Sequence, residues 1–135
     1  MRVDKQKFAG VVIFYENAKE RKFLMNFDFE NNWWSFYKVR LKDFKGEFNV
    51  LSKELRQLGL EGDFIDYKDY LEIAPYGEIL QEIHLFLFKS NNLVELPDFE
   101  WMSLNEAKRK LLISDFKEVL ERANRILNSR KFLLL

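Results

Sequence analysis

The residues able to do chemistry gather between Trp34 and Leu60, with a second group around His84. Glu54, with Glu47 nearby, offers the carboxylate oxygens that hard cations prefer, but a single carboxylate holds a divalent cation poorly and no metal is expected. Basic residues outnumber these acids. Between Lys38 and Arg56 stand Lys38, Arg40, Lys42, Lys45, Lys53 and Arg56 against Asp43, Glu47 and Glu54, a local formal charge of +3. Such a set could take a phosphate directly, Lys as a point charge and Arg through its bidentate fork. The plainer alternative is a solvated basic face, since exposed charges do little by themselves. His84 is the one histidine and shares a strand face with Glu82, so the pair could serve as a base; a satisfied strand histidine is the ordinary account. Trp33, Trp34, Phe36, Tyr37 and Tyr76 could stack on a nucleobase. Core packing competes with that role for Trp34 and Phe36, whereas Tyr76 sits in a Pro-Gly turn and is the better stacking candidate. No nucleophile elbow and no glycine-rich phosphate loop is present.

These groups must be positioned by a chain of 135 residues, about one domain, in which 14 phenylalanines predict a Phe-rich core. Lys+Arg and Asp+Glu number 22 each, so a globally electrostatic nucleic-acid binder is disfavoured while a local patch is not. The absence of cysteine excludes disulfides, thiolate metal sites and a cysteine nucleophile, and it fits a reducing compartment. No apolar run is long enough to span a bilayer and the polar start MRVDKQKF has no signal-peptide core, so a cytoplasmic location without membrane contact is expected.

Phe8 to Tyr15 reads as a buried strand in which Gly10 marks a close backbone approach. Lys22 to Phe29 alternates with Phe23, Met25, Phe27 and Phe29 on one face, and the two runs are suited to a hairpin across Glu16–Arg21. Asn31-Asn32 is a turn, Trp33 to Tyr37 a short aromatic segment, and Lys38 to Gly46 a charged loop without a period. From Glu47 the period becomes helical, with Phe48, Leu51, Leu55 and Leu58 on one stripe and Gly59 as the stop. Phe64 to Ile73 is a strand, Pro75-Tyr76-Gly77 a turn, and Ile79 to Phe88 the strongest strand. In that last strand Ile79, Gln81, Ile83, Leu85 and Leu87 oppose Leu80, Glu82, His84, Phe86 and Phe88. Ser90-Asn91-Asn92 turns the chain into a short strand, Phe99–Met102. A capping box at Ser103 and Glu106 then opens a helix to about Leu112, and Ser114 caps a last helix, Asp115 to about Asn128. Strands interleaved with one helix and closed by two more predict an α+β domain, a mixed sheet sandwiched between helices over residues 1–135.

In order and spacing, three stretches resemble the Nudix hydrolases, especially the MutT-like and dinucleoside-polyphosphate members. They are the opening Phe8-Ala9-Gly10-Val11-Val12-Ile13-Phe14, Trp34 with the loop and helix after it, and Asp98-Phe99-Glu100-Trp101-Met102-Ser103-Leu104-Asn105-Glu106-Ala107. The resemblance implies the box G-x5-E-x7-R-E-U-x-E-E-x-G-U, with U an aliphatic residue. Its helical carboxylates hold Mg²⁺ or Mn²⁺, which polarises a pyrophosphate and activates water. Counting from Trp34, Lys53-Glu54-Leu55 fall on R-E-U, while Gln57 and Leu58 replace the paired Glu. Counting back from Gly59 puts Glu54 at the aliphatic position, so the first register is preferred. Only Glu54 then survives among the helix carboxylates; Val39 stands for the loop Gly and Lys45 for the loop Glu.

The expectation is therefore a Nudix-fold protein with a decayed metal box, without a required cofactor, that binds a nucleotide, another phosphate-containing ligand or a macromolecule. An alternative is a divergent Mg²⁺-dependent hydrolase of nucleoside diphosphate-linked substrates, drawing acids from Glu47, Glu54, Glu82 or Glu95. A third reading is an assembly subunit, with a protein partner or a homodimer held through the apolar tail Lys131–Leu135.

Overall fold

The structure is a computed structural model, described for residues 4–74 and 79–129. Expectations for Tyr76 and for the tail Lys131–Leu135 lie outside the described residues. The sheet is organised by β1 (Asp4–Glu16), whose 13 residues are long enough for two different neighbours on one side. Its second half, Ile13 to Glu16, pairs antiparallel with β2 (Arg21–Asp28), the hairpin expected from the alternation. Its first half, Lys7 to Val11, pairs antiparallel with β4 (Tyr37–Leu41), which follows the short β3 (Trp33–Ser35). The other side of β1 is parallel to β6 (Ile79–Ser90), and β6 is in turn antiparallel to β5 (Gly62–Ile73). β7 (Phe99–Met102) adds to β2, completing seven strands.

The charged segment after Tyr37 departs from the expected loop: Tyr37 to Leu41 is a strand beside the centre of the sheet. Its charges hid the alternation. Tyr37, Val39 and Leu41 pack towards one core, while the intervening Lys38 and Arg40 fall on the opposite face.

Helix α1 (Glu47–Gln57) covers one face of the sheet. It ends where Gly59 takes φ 84, so that the Gly59 N–H reaches the Arg56 carbonyl and the Leu60 N–H the Leu55 carbonyl. This is a Schellman closure, and it needs the left-handed conformation that glycine adopts freely. Leu51 and Leu55 bury against Ala9, Val11, Ile13, Phe64, Phe86 and Phe88. On the opposite face, α2 (Leu104–Lys110) and α3 (Ser114–Asn128) bury Ala107, Phe116, Val119, Leu120, Ala123 and Leu127 against Val12, Phe14, Phe23, Ile83, Leu85 and Leu87. The sheet is thus sandwiched between helices and the core is rich in phenylalanine, both as the sequence predicts.

Ser103 caps α2, accepting the Glu106 N–H. Ser114 does not cap α3: the N-cap is Ile113, and Ser114 is already helical. Two contacts fasten α3, Arg122 Nε donating to Asp69 and Arg21 Nη1 donating to Asn124 and Asn128. No helix among the described residues is long and apolar enough to cross a membrane.

Candidate functional site

β4 and β1 put the basic residues of the mid-chain stretch in two separate places. On the α3 face, pairing of Phe8 with Arg40 and of Gln6 with Gln81 gathers Gln6, Phe8, Lys38, Arg40 and Gln81 at one end of the sheet. Beside them the β2–β3 turn brings Asp28, Phe29, Glu30 and Asn31. Together they bound a cleft of about 600 Å³ and, beside it, a smaller one of about 160 Å³ that Asn31 and Gln81 line. Lys38 is its centre. Its Nζ donates to Gln81 Oε1 at 2.9 Å and lies 4.7 Å from the centre of the Phe8 ring. Burial pushes its pKa below the ordinary lysine value, while the negative charges of Asp28 and Glu30 oppose that shift. A lysine ammonium has three donors, and Gln81 takes one. Lys38 is therefore a half-buried cation with donor capacity directed into a cleft, near the exposed Phe29 ring at the rim.

Asp28 is spent on the turn: its carboxylate accepts the Glu30 and Asn31 N–H groups and the Asn31 side-chain amide. The cleft thus combines a cation, amides (Gln6, Asn26, Gln81), an acid (Glu30) and an aromatic rim of Phe8, Phe27 and Phe29. That mixture suits a ligand with an anionic group at one end and a flat polar ring at the other.

Three of the candidate acids, Glu47, Glu54 and Glu82, lie on the opposite, α1 face, each beside an internal partner. Glu47, at the first position of α1, accepts from Lys68 Nζ at 2.8 Å and stands 2.8 Å from His84 Nδ1. Glu54 accepts the Tyr37 hydroxyl at 3.0 Å; burial foremost, then this bond, pushes the Tyr37 pKa up to about 12. Glu82 is 3.9 Å from Lys5, and Glu95 is exposed on a loop. The expected pairing of His84 with Glu82 is replaced by His84 with Glu47. Both strand residues do share a face, but Glu47 reaches the imidazole from the helix above. The ring is further held by Phe44, stacked at 3.7 Å, and by Tyr70 edge-on at 5.7 Å.

Among the described residues, no three His, Asp or Glu side chains gather so as to hold a metal ion. A divalent cation asks for several oxygens converging on one point, with charges not already neutralised. Glu47, Glu54 and Glu82 do not fit that requirement.

The remaining candidates separate. Lys53 and Arg56 point to solvent from α1, away from Lys38. Trp34 meets Phe27 edge-on at 5.3 Å and has Lys110 over its ring, and Phe36 is buried against Phe116, so both are packing residues here. Sequence reasoning missed Phe8, Gln81 and Phe29. Phe29 carried a signal: an aromatic at a strand end, directly before the polar turn Glu30-Asn31-Asn32, has no core left to enter.

No family model and no curated protein matches the sequence. Solved structures do. The C. elegans Ap4A hydrolase superposes with a TM-score of 0.75 at 21% identity, over 93% of this chain and 99% of that one. A Nudix hydrolase of Listeria monocytogenes gives 0.68 at 12% identity, over 95% and 98%. The Nudix domain of Shewanella oneidensis NrtR, solved with ADP-ribose, gives 0.61 at 14% identity, over 94% and 90%. The chain has the Nudix fold.

Proposed function

We propose that this chain is a nucleotide-binding Nudix-fold protein that does not carry out metal-dependent hydrolysis. Its ligand enters the cleft on the α3 face. Lys38 donates to a phosphate oxygen, Phe29 and Phe27 offer ring faces to the base, and Gln6, Asn26 and Glu30 offer polar groups to its edge. One observation carries the reading: the half-buried Lys38 has donor capacity left in a cleft, whereas Glu47 and Glu54 of α1 are already bonded to Lys68, His84 and Tyr37. The NrtR Nudix domain solved with ADP-ribose supports a nucleotide as the ligand class. The divergent-hydrolase alternative needs acids drawn from Glu47, Glu54, Glu82 or Glu95 to converge, and the separate partners of the first three weigh against it.

The test has two parts. Calorimetric titration with ADP and ADP-ribose in EDTA is expected to show one site, lost on Lys38→Met. Incubation of both compounds with Mg²⁺ or Mn²⁺, followed by phosphorus NMR, is expected to show no turnover. Robust turnover abolished by Glu54→Gln would overturn the proposal.

A further inference from the structure

β1 extends beyond the end of β4. Their pairing stops at Lys7 with Leu41, yet β1 continues to Asp4, held on its other side alone by β6. Residues 4 to 6 therefore present an open strand edge on the side away from β6 among the described residues, where the outward-facing backbone groups have no strand partner. A second cleft, of about 610 Å³, lies along this edge and is lined by Lys5, Gln6, Lys7, Arg40, Leu41 and Lys42. Strand alternation arranges the charges on both sides of the edge. Lys5 and Lys7 belong to the α1 face with Ala9 and Val11, while Arg40 belongs to the α3 face opposite Phe8. Lys42 follows just past the strand and is exposed.

Four cations and no acid line this cleft, in a chain whose formal charge is zero. Lys5 pairs with Glu82 at 3.9 Å. Lys7 lies 5.8 Å from the Phe44 ring, a contact that leaves its donors available. Arg40 lines both clefts, so the second begins where the Lys38 cleft ends.

We infer that the two clefts form one track for a single-stranded nucleic acid, its terminal nucleotide beside Lys38 and its following phosphates along the open edge of β1. The inference rests on the nucleotide reading of the first cleft and adds to it the class of ligand. A free mononucleotide reaches Lys38 and Arg40 but has no group to place against Lys5, Lys7 and Lys42. A phosphodiester chain does, and each phosphate met by a cation releases counterions, which makes binding length- and salt-dependent. Edge N–H groups supply further donors to phosphate oxygens without reading sequence.

The experiment compares ADP, inorganic tripolyphosphate and 5′-phosphorylated adenylate trimers and hexamers by calorimetry at several salt concentrations. The hexamer is expected to bind at least about tenfold more tightly than ADP at low salt. Its log-log salt slope should be about −2, as for three phosphates on a single strand. The double variant Lys7→Glu/Lys42→Glu should abolish that gain and leave ADP affinity unchanged, with circular dichroism confirming the fold. Lys5→Ser/Lys42→Ser serves if the first variant is unfolded. A hexamer no tighter than ADP overturns the track and leaves the nucleotide reading standing; failure of both ligands overturns both. Tripolyphosphate matching the hexamer overturns the nucleic-acid assignment. Hexamer binding without ADP binding supports the track and removes the separate nucleotide site.

Discussion

Lys38→Met separates a binding role from a structural one, because the expected effects on affinity and on stability differ in size at this residue. Folding places the ammonium in a partly dry site, where burial lowers its pKa and the through-space pull of Asp28 and Glu30 only partly compensates. The variant leaves Gln81 Oε1 without its donor, a loss of about 1 kcal/mol. It also forfeits the contact with the Phe8 ring, about 0.5–1 kcal/mol. Relief of the desolvated charge and burial of an apolar side chain return an amount of about the same size. Stability should therefore stay within about 1 kcal/mol of the parent, a melting shift under about 5 °C at this length. Binding has no such compensation. Removing a charged donor from a ligand phosphate costs about 1.5–3 kcal/mol, or roughly 10- to 150-fold in Kd. A pH arm fixes the sign. Between the lowered folded pKa and the unfolded value of 10.5, the unfolded chain binds more protons at Lys38. The stability of the parent then rises with pH across that interval, and the variant lacks this rise. Urea titrations from pH 7 to 10.5, beside calorimetry with ADP, measure both arms. Unchanged affinity in a folded variant refutes Lys38 as a ligand; a loss of affinity matched by several kcal/mol of instability makes it structural.

Three further outcomes follow from the packing. Gly62→Ala should destabilise by about 1–3 kcal/mol in urea, because a Cβ there would overlap the Lys89 carbonyl on β6 and force the two strands apart. Glu47→Gln should cost about 1–2 kcal/mol by leaving Lys68 and His84 without their anion, and ADP affinity, set on the other face, should not change. The Asp69 carboxyl is raised by burial, but hydrogen bonds from Arg122, the Tyr70 N–H and Tyr67 outweigh this and hold it below the ordinary range. Its contribution is thus complete above the unfolded carboxylate value and is lost as pH falls through the lowered one. Asp69→Asn should flatten the acid limb of stability below about pH 4, read by fluorescence.

Most of the fold was legible because its elements are locally consistent. β6 shows both faces in its alternation, Gly59 sits where a Schellman closure needs it, and Ser103 caps as its spacing with Glu106 implies. β4 was not legible. Only period-2 contrast marks a strand, and in Lys38 to Lys42 the solvent-side residues are so charged that the run reads as a loop. Recovering it requires the long-range fact that β1 extends far enough to pair it. Ser114 misled for a smaller reason: a good capping residue one position inside the helix looks like the cap itself.

The acids of α1 failed as a guide for the same long-range reason, and here the consequence is chemical. A carboxylate's availability depends on what faces it, and Glu47 faces residues 21 and 37 positions away, on β5 and β6. Spacing along the chain places Glu47 and Glu54 on one helix; it cannot show what those carboxylates face. Lys68 brings a cation to Glu47 from β5, and His84 stands against the same carboxylate from β6. Across the sheet, Lys38 and Arg40 line one cleft, and Arg40 lines a second with Lys42, Lys5 and Lys7. On the proposed reading a ligand phosphate is drawn by this positive charge on the strands, without a bridging metal.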